Sequence, residues 1–212
     1  CPGFIMVEDR RIRCHKTIGH GAETFVQGTQ NSCNPVFITV GMRLGVEKYY
    51  AYFERLGLKN KTGIDLPGEA SSIMHKLENV GAVELATMSF GESFQITPMQ
   101  LLSAVSTIIN GGNEITPHFG ISVANAEGKT IKTYQYKGQE GVISKETSET
   151  MKTLLEAVVH EGTGQRAYLP GFRIGGKTAT SEKLPRSLNT YIASFVGFAP
   201  AENPQVVALV MI

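Results

Sequence analysis

The sequence predicts an α+β fold in which helices come first and an antiparallel meander of strands closes the chain. Three observations carry this. Apolar residues recur at helical spacing through residues 35–56, and helix-start signals stand at Thr97 and Ser144. From residue 172 onward three strand-like runs, FRIGGKTATS, YIASFVGFAP and QVVALVMI, follow one another, with a short AENP turn between the last two. No internal repeat or low-complexity tract interrupts this order, and separate blocks of helix and strand point to α+β.

Residues 1–19 read as irregular or extended chain carrying the charged patch EDRRIRCHK. A helical pattern runs from about Gly21 to Gln30. The next, from Pro35 to Leu56, reads as one helical stretch through Phe37, Val40, Met42, Leu44, Tyr49, Tyr52, Phe53 and Leu56, with Gly57 as its stop. NKTGIDLPGEASS is a loop by its glycine, proline and turn formers. Val83 to Met88 fits either helix or strand. Thr97 and Pro98 are the N-cap and first position of a helix running to Gly111-Gly112. Residues 119–143 read as two short strands around a turn at Asn125–Gly128, and Ser144 caps a further helix that Gly162 ends.

A chain of 212 residues suits one domain or a large part of one. With 42% hydrophobic and 18% charged residues it can bury a core, which excludes a disordered chain. The net charge of +1 leaves no clustered excess of Lys and Arg of the kind that binding phosphates needs, so no nucleic-acid partner is expected. No apolar run reaches the roughly 18 residues of a membrane span. The abrupt start at Cys1-Pro2-Gly3 and the stop inside QVVALVMI read as a fragment truncated at both ends.

Two stretches suggest chemistry. In RIGGKTATSEK, Gly175 and Gly176 allow a ligand or another backbone to approach closely, and Lys177 projects a compact charge beside them. Thr178 and Thr180 share one face of a strand, where hydroxyls and N–H groups suit a carboxylate or an acyl oxygen. The plainer reading is a glycine-rich edge strand with a solvated lysine. In QNSCNPVF, Ser32 and Asn34 flank Cys33 just before a helix; both can face a cleft, or serve only as helix caps. The three cysteines, Cys1, Cys14 and Cys33, leave several readings open. They are free buried thiols, or Cys1 and Cys14 form a disulfide, or Cys14 and His15 bind zinc with Cys1 and Cys33. His20, His75, His118 and His160 read as structural or solvated.

Taken together, Ser-x-Asn and a downstream Lys-Thr-x on a strand resemble two of the three motifs of the penicillin-recognising serine transferases. The chain resembles the transpeptidase domain of class B penicillin-binding proteins. The likeness extends through GHGAETFVQGTQNSCNPVF, GLKNKTGIDLPGE, SFGESFQITPMQLLSAVSTIINGG, EGTGQRA and SFVGFAPAENPQVV, in that family's order, from about Gly19 to the end. SCNPVF and KTATS look most like the clostridial branch with its sporulation-specific enzymes, some of which are associated with zinc near this region. Lys61-Thr62-Gly63 spells the strand motif literally, but lies in a loop that is structural in relatives. In the functional copy Ala179 stands where the family usually has Gly.

The resemblance implies the penicillin-binding protein/serine β-lactamase-like fold, with residues 1–212 as the C-terminal part of one transpeptidase domain. This part would supply the last three strands of the sheet, the first two and the closing helix lying outside. The implied activity is peptidoglycan D,D-transpeptidation through an acyl-serine, with stem peptide and β-lactams as ligands and no cofactor needed for catalysis. No serine in the chain has lysine three residues on, so the nucleophile is expected on a companion segment, and the chain alone is expected to be inert. By the same resemblance, Ser32 relays protons, Asn34 holds the substrate amide and Lys177 stabilises developing charge. Thr178 binds the terminal carboxylate, and the Thr180 N–H completes an oxyanion hole. The expected place is the extracytoplasmic face of the bacterial membrane, within a cell-wall synthesis complex and with the anchor outside the chain. A penicillin-binding sensor without turnover is the alternative. A serine β-lactamase fits less well: the Asn34–Lys177 interval is too long and lacks that family's Glu-x-x-x-Asn loop.

Overall fold

The computed structural model describes residues 1–183 and 186–212. Strands β1 (Phe4–Val7) and β2 (Arg10–Arg13) form an antiparallel hairpin, where the sequence suggested irregular or extended chain. The charged residues that obscured the pattern point outward. Ile5, Val7 and Ile12 pack inward with Ile38 and Ala86.

Helix α1 (Phe25–Gln30) starts later than Gly21 because Thr24 is its N-cap, in a reciprocal capping box with Gln27. The expected single helix over 35–56 is two, α2 (Asn34–Leu44) and α3 (Val46–Arg55). Gly45 separates them at φ 80°, a backbone region in which residues with a Cβ are strained. Apolar periodicity persisted across the break because both helices pack inward, α2 through Ile38 and α3 through Tyr50 and Phe53. The ambiguous stretch is helix α4 (Ala82–Met88). Helix α5 (Pro98–Ile109) starts as expected, with Thr97 and Gln100 in a capping box.

The short strands β3 (Ser122–Ala124) and β4 (Thr130–Thr133) pair around the expected turn. Asp65 ties this hairpin down: its carboxylate accepts from the backbone N–H groups of Phe119 at 2.9 Å and Gly120 at 2.7 Å, and from the Tyr136 hydroxyl at 3.2 Å. These bonds, that from Gly120 foremost, hold the carboxyl below its usual pKa. The stabilisation is therefore present above about pH 4 and is lost as pH falls through the depressed folded value. Asp65→Ala is expected to speed amide exchange across residues 116–138 while leaving α5 and α6 protected, as read by hydrogen-exchange mass spectrometry.

Helix α6 (Lys145–Glu161) is capped by Ser144 and lies against the three-stranded antiparallel sheet β5 (Gly175–Glu182), β6 (Tyr191–Ala199) and β7 (Val206–Met211), in the order β5-β6-β7. Ile109, Phe198 and Ala201 form the core beneath, joined by Val105, Leu155 and Val207. Burying a side chain such as Phe198, 2% exposed, contributes about 1.5–3 kcal/mol. Arg173 pins the approach to β5, with Nε and Nη2 each 2.7 Å from the Glu156 carboxylate on α6. Gly175 and Gly176 do make room, but not for a ligand. A Cβ at Gly175 would lie 2.2 Å from the Phe198 ring, and one at Gly176 would lie 2.4 Å from the Phe195 ring.

Candidate functional site

The turn between α1 and α2 sets the site. Its backbone is a Schellman stop: the Cys33 N–H donates to Gly28 O at 2.8 Å and the Ser32 N–H to Thr29 O at 3.2 Å. The position between C-cap and closing residue is left-handed and normally glycine. Here it is Ser32, at φ 51°. A residue with a Cβ held there costs about 1–2 kcal/mol. The strained turn sends the Ser32 and Cys33 side chains different ways. Cys33 is fully buried as the N-cap of α2, and Ser32 Oγ meets Lys177.

Lys177 reaches from β5 across 145 residues of sequence to donate to Ser32 Oγ at 2.8 Å, and also donates to the carbonyl of Thr178 at 2.9 Å. Burial pushes its amine down to about 8. A short hydroxyl–amine contact with such an amine can pass protons near neutral pH, and as the ammonium it presents a positive charge to an anion. Asn34 opens α2, and its Nδ2 donates to Arg13 O at 3.1 Å, which ties the turn to β2. The Thr178 hydroxyl donates to that of Thr163 at 3.1 Å. Ala179 and Thr180 are exposed on β5, at the sheet's edge. The structure thus brings Ser32, Lys177 and Thr178 together, with Asn34 beside Ser32 and Thr180 farther along β5. The literal Lys61-Thr62-Gly63 is elsewhere, folded as a turn in which Glu69 accepts from the N–H groups of Thr62 and Gly63.

The cysteine region needs one correction. Ligand atoms of Cys1, Cys14, Cys33 and His20 all lie within 4.8 Å of one another, and the cysteines are unbridged. His15 is not in the group. Its Nε2 contacts Asn31 O at 2.8 Å and so braces the α1 stop. The sequence favoured His15 because it adjoins Cys14. Residues 20 and 21 fold back instead, both N–H groups donating to Cys1 O at 3.1 Å, and this carries His20 to the thiols. Burial pushes the Cys33 thiol up to about 12. Beside the group lies Glu23, whose side chain is 4% exposed. Its Oε1 accepts from Asn31, and its Oε2 lies 3.8 Å from His20 Nδ1.

Comparisons with known proteins identify the family and the fold. The family model described as the penicillin binding protein transpeptidase domain matches residues 1–212. The chain is 44% identical to the stage V sporulation protein D of Bacillus subtilis (strain 168), over 99% of this chain and 33% of that protein. It is 32% identical to the peptidoglycan D,D-transpeptidase FtsI homolog of Mesostigma viride, over 86% of this chain and 34% of that protein. Among solved structures, the D,D-transpeptidase domain of a peptidoglycan glycosyltransferase from Eggerthella lenta superposes with TM-score 0.88 at 29% identity, covering 99% of this chain and 52% of that one. Penicillin binding protein 3 of Mycobacterium tuberculosis, complexed with ampicillin, gives TM-score 0.91 at 25% identity, over 100% and 49%. The chain thus spans about a third of these curated relatives and about half of the solved chains.

Proposed function

The chain belongs to the penicillin-binding protein transpeptidase family, and from that premise we propose that it forms the Ser-x-Asn and Lys-Thr walls of a peptidoglycan D,D-transpeptidase site. The observation that carries this is the 2.8 Å bond between Ser32 Oγ and Lys177 Nζ, which joins two distant motifs into one cleft.

In this reading the substrate is a stem peptide, which β-lactams mimic, and the acyl-serine forms on a Ser-x-x-Lys segment of the longer protein. Because Ser32 Oγ accepts from the lysine, its own proton is free for relay between that nucleophile and the leaving amine. Lys177 has spent two of its three ammonium protons on Ser32 and Thr178 O, and the third meets the incoming anion. Thr178 takes the terminal carboxylate, Asn34 the substrate amide, and the Thr180 N–H one side of the oxyanion. An apolar recess of about 530 Å³, lined by Phe4, Phe25, Val36 and Val40 among others beside Ser32–Asn34, supports a seat for the companion segment. Without that segment the chain is inert. The likeness to a sporulation protein supports a role in sporulation, and a peptidoglycan substrate supports a site on the extracytoplasmic face of the membrane, within a cell-wall synthesis complex. Among the described residues no helix is long and apolar enough to cross a membrane.

The transpeptidase chemistry itself calls for no cofactor. The Cys1, Cys14, His20 and Cys33 donors nevertheless fit a structural zinc ion, because three thiols and an imidazole are a zinc ligand set. The Glu23 carboxylate, buried 3.8 Å from His20 Nδ1, adds negative charge beside this group. Bound there, zinc would hold the thiols as thiolates and fix Cys33, hence the turn that carries Ser32.

The test is intact-mass analysis of the full-length protein and of residues 1–212 after incubation with benzylpenicillin. One adduct is expected on the full-length protein, at a serine outside residues 1–212, and none on the shorter chain. An adduct on a serine within residues 1–212, or none on the full-length protein, would refute the assignment. A stem-peptide donor separates turnover from a sensor that acylates and holds. Ser32→Gly in the full-length protein is expected to slow acylation by about 10²–10⁴-fold. The same change relieves about 1–2 kcal/mol of backbone strain but removes the hydroxyl that accepts from the buried Lys177 amine, a loss of similar size, so no net gain in stability is expected.

A further inference from the structure

Thr163 lies outside the motifs that suggested the site, yet it is the residue the Thr178 hydroxyl meets. Its backbone is unusually well fixed for the turn after a helix. The Thr163 N–H donates to Gln30 O at 2.9 Å, and the N–H groups of Gly162 and Gly164 both donate to Val158 O at 3.0 Å. Gly162 packs so tightly on Gln30 that a Cβ there would stand 2.4 Å from the Gln30 carbonyl oxygen. Gln30 Nε2 also donates to Glu161 Oε2 at 3.1 Å. The end of α6 is therefore clamped to the last residue of α1, two residues before Ser32. From that clamp the Thr163 hydroxyl projects to β5, while its residue as a whole stays exposed to the cleft's solvent.

Proton arithmetic gives this contact a function. A hydroxyl has one proton to donate. In the free protein Thr178 directs its proton to Thr163, and a proton used there is not available to a carboxylate. When an anion arrives, the pair must reverse: Thr163 donates to Thr178 Oγ1, and Thr178 donates to the carboxylate. A chain of donors polarised in this way binds an anion better than a lone hydroxyl.

Resting on the transpeptidase reading above, we propose that Thr163 is a positioning residue for carboxylate recognition, holding and polarising the Thr178 hydroxyl as its hydrogen-bond donor. It touches neither the reacting carbonyl nor the nucleophile, so it acts on binding of the anionic group and not on the acylation step.

The experiment compares full-length wild type with Thr163→Val, which keeps shape and backbone N–H but removes the hydroxyl, and with Thr163→Ser, which keeps the hydroxyl. Each is acylated by benzylpenicillin and by its methyl ester, which lacks the anionic charge. Thr163→Val is expected to weaken the pre-covalent benzylpenicillin complex about five- to twentyfold, with the first-order acylation step within about twofold of wild type. Thr163→Ser should restore binding, and the ester should react with Thr163→Val as it does with wild type. Three outcomes overturn the proposal while leaving the transpeptidase reading intact: unchanged benzylpenicillin binding in Thr163→Val, an equal loss on the ester, or no rescue by serine. Failure of benzylpenicillin to acylate wild type overturns the underlying reading and this one with it.

Discussion

Replacing Lys177 by methionine in the full-length protein will nearly abolish penicillin acylation and at the same time raise the unfolding temperature. Both effects follow from one buried amine. Lys177 is held at about 8, against a usual lysine value of about 10.4, because burial disfavours its charge. Between those two values the unfolded chain binds more protons than the folded one, so stability rises with pH across that window and is lowest below it. The cost of keeping the ammonium in the cleft near pH 7 is about 3 kcal/mol at most, offset in part by its bonds to Ser32 and Thr178. Methionine fills much the same space without charge, so a gain of about 1–3 kcal/mol is expected, or about 2–4 °C for each kcal/mol. Calorimetry of wild type should show the rise in stability between about pH 8 and 10.4, and the methionine variant should lack it. Acylation should fall about a hundred- to a thousandfold, the usual effect of losing a group that stabilises developing charge. In wild type it should decline above about pH 8, as the ammonium deprotonates. A variant with lower stability and unchanged acylation would show that Lys177 is only a structural lysine.

The second large effect concerns the thiol group behind the turn. Purified full-length protein is expected to carry one zinc ion per chain by elemental analysis. Stripping it with a chelator, or introducing Cys33→Ser, should lower the unfolding temperature by about 10 °C or more. Structural zinc sites contribute far more than the few kcal/mol this requires. Acylation should fall with it, because Cys33 is flanked by Ser32 and Asn34 and is the N-cap of α2. Re-addition of zinc should restore both in the stripped wild type, but not in the serine variant. Metal-free protein with the same melting temperature and acylation rate as the purified form would remove zinc from the account.

Much of this molecule was legible in its sequence where local rules agree with the fold. Thr97-Pro98 and Ser144 marked helix starts, and the β-branched and aromatic runs after residue 172 became β5, β6 and β7. The misses have physical causes. Periodicity could not register the break at Gly45, because α2 and α3 both present apolar residues to the core. The β1–β2 hairpin was hidden by Arg10, Arg11 and Arg13, which crowd β2 with exposed charge around the single apolar Ile12 and read as solvated chain. At the site, Ser32, Lys177 and Thr178 were found through motif spelling, but their juxtaposition is tertiary and no spacing encodes it. His20 was missed in favour of His15 because proximity along the chain is a poor guide to a ligand set closed by a fold-back turn. Thr163 carried no motif signal of its own, and only the clamp between α6 and α1 brings it to Thr178.

The Schellman stop at Ser32 has a consequence for how this segment can vary. One residue both ends a helix and faces Lys177, and the helix it ends is only six residues long, fixed at its start by the Thr24–Gln27 capping box. A residue inserted into or deleted from Phe25–Gln30 would rotate the Ser32 turn by about 100° about the helix axis and shift it by about 1.5 Å. The hydroxyl would leave Lys177, and the Cys33 thiol would leave its pocket in the same step. The stretch can drift in composition on its exposed side, but its length is locked from both ends, so substitutions are tolerated here where insertions and deletions are not.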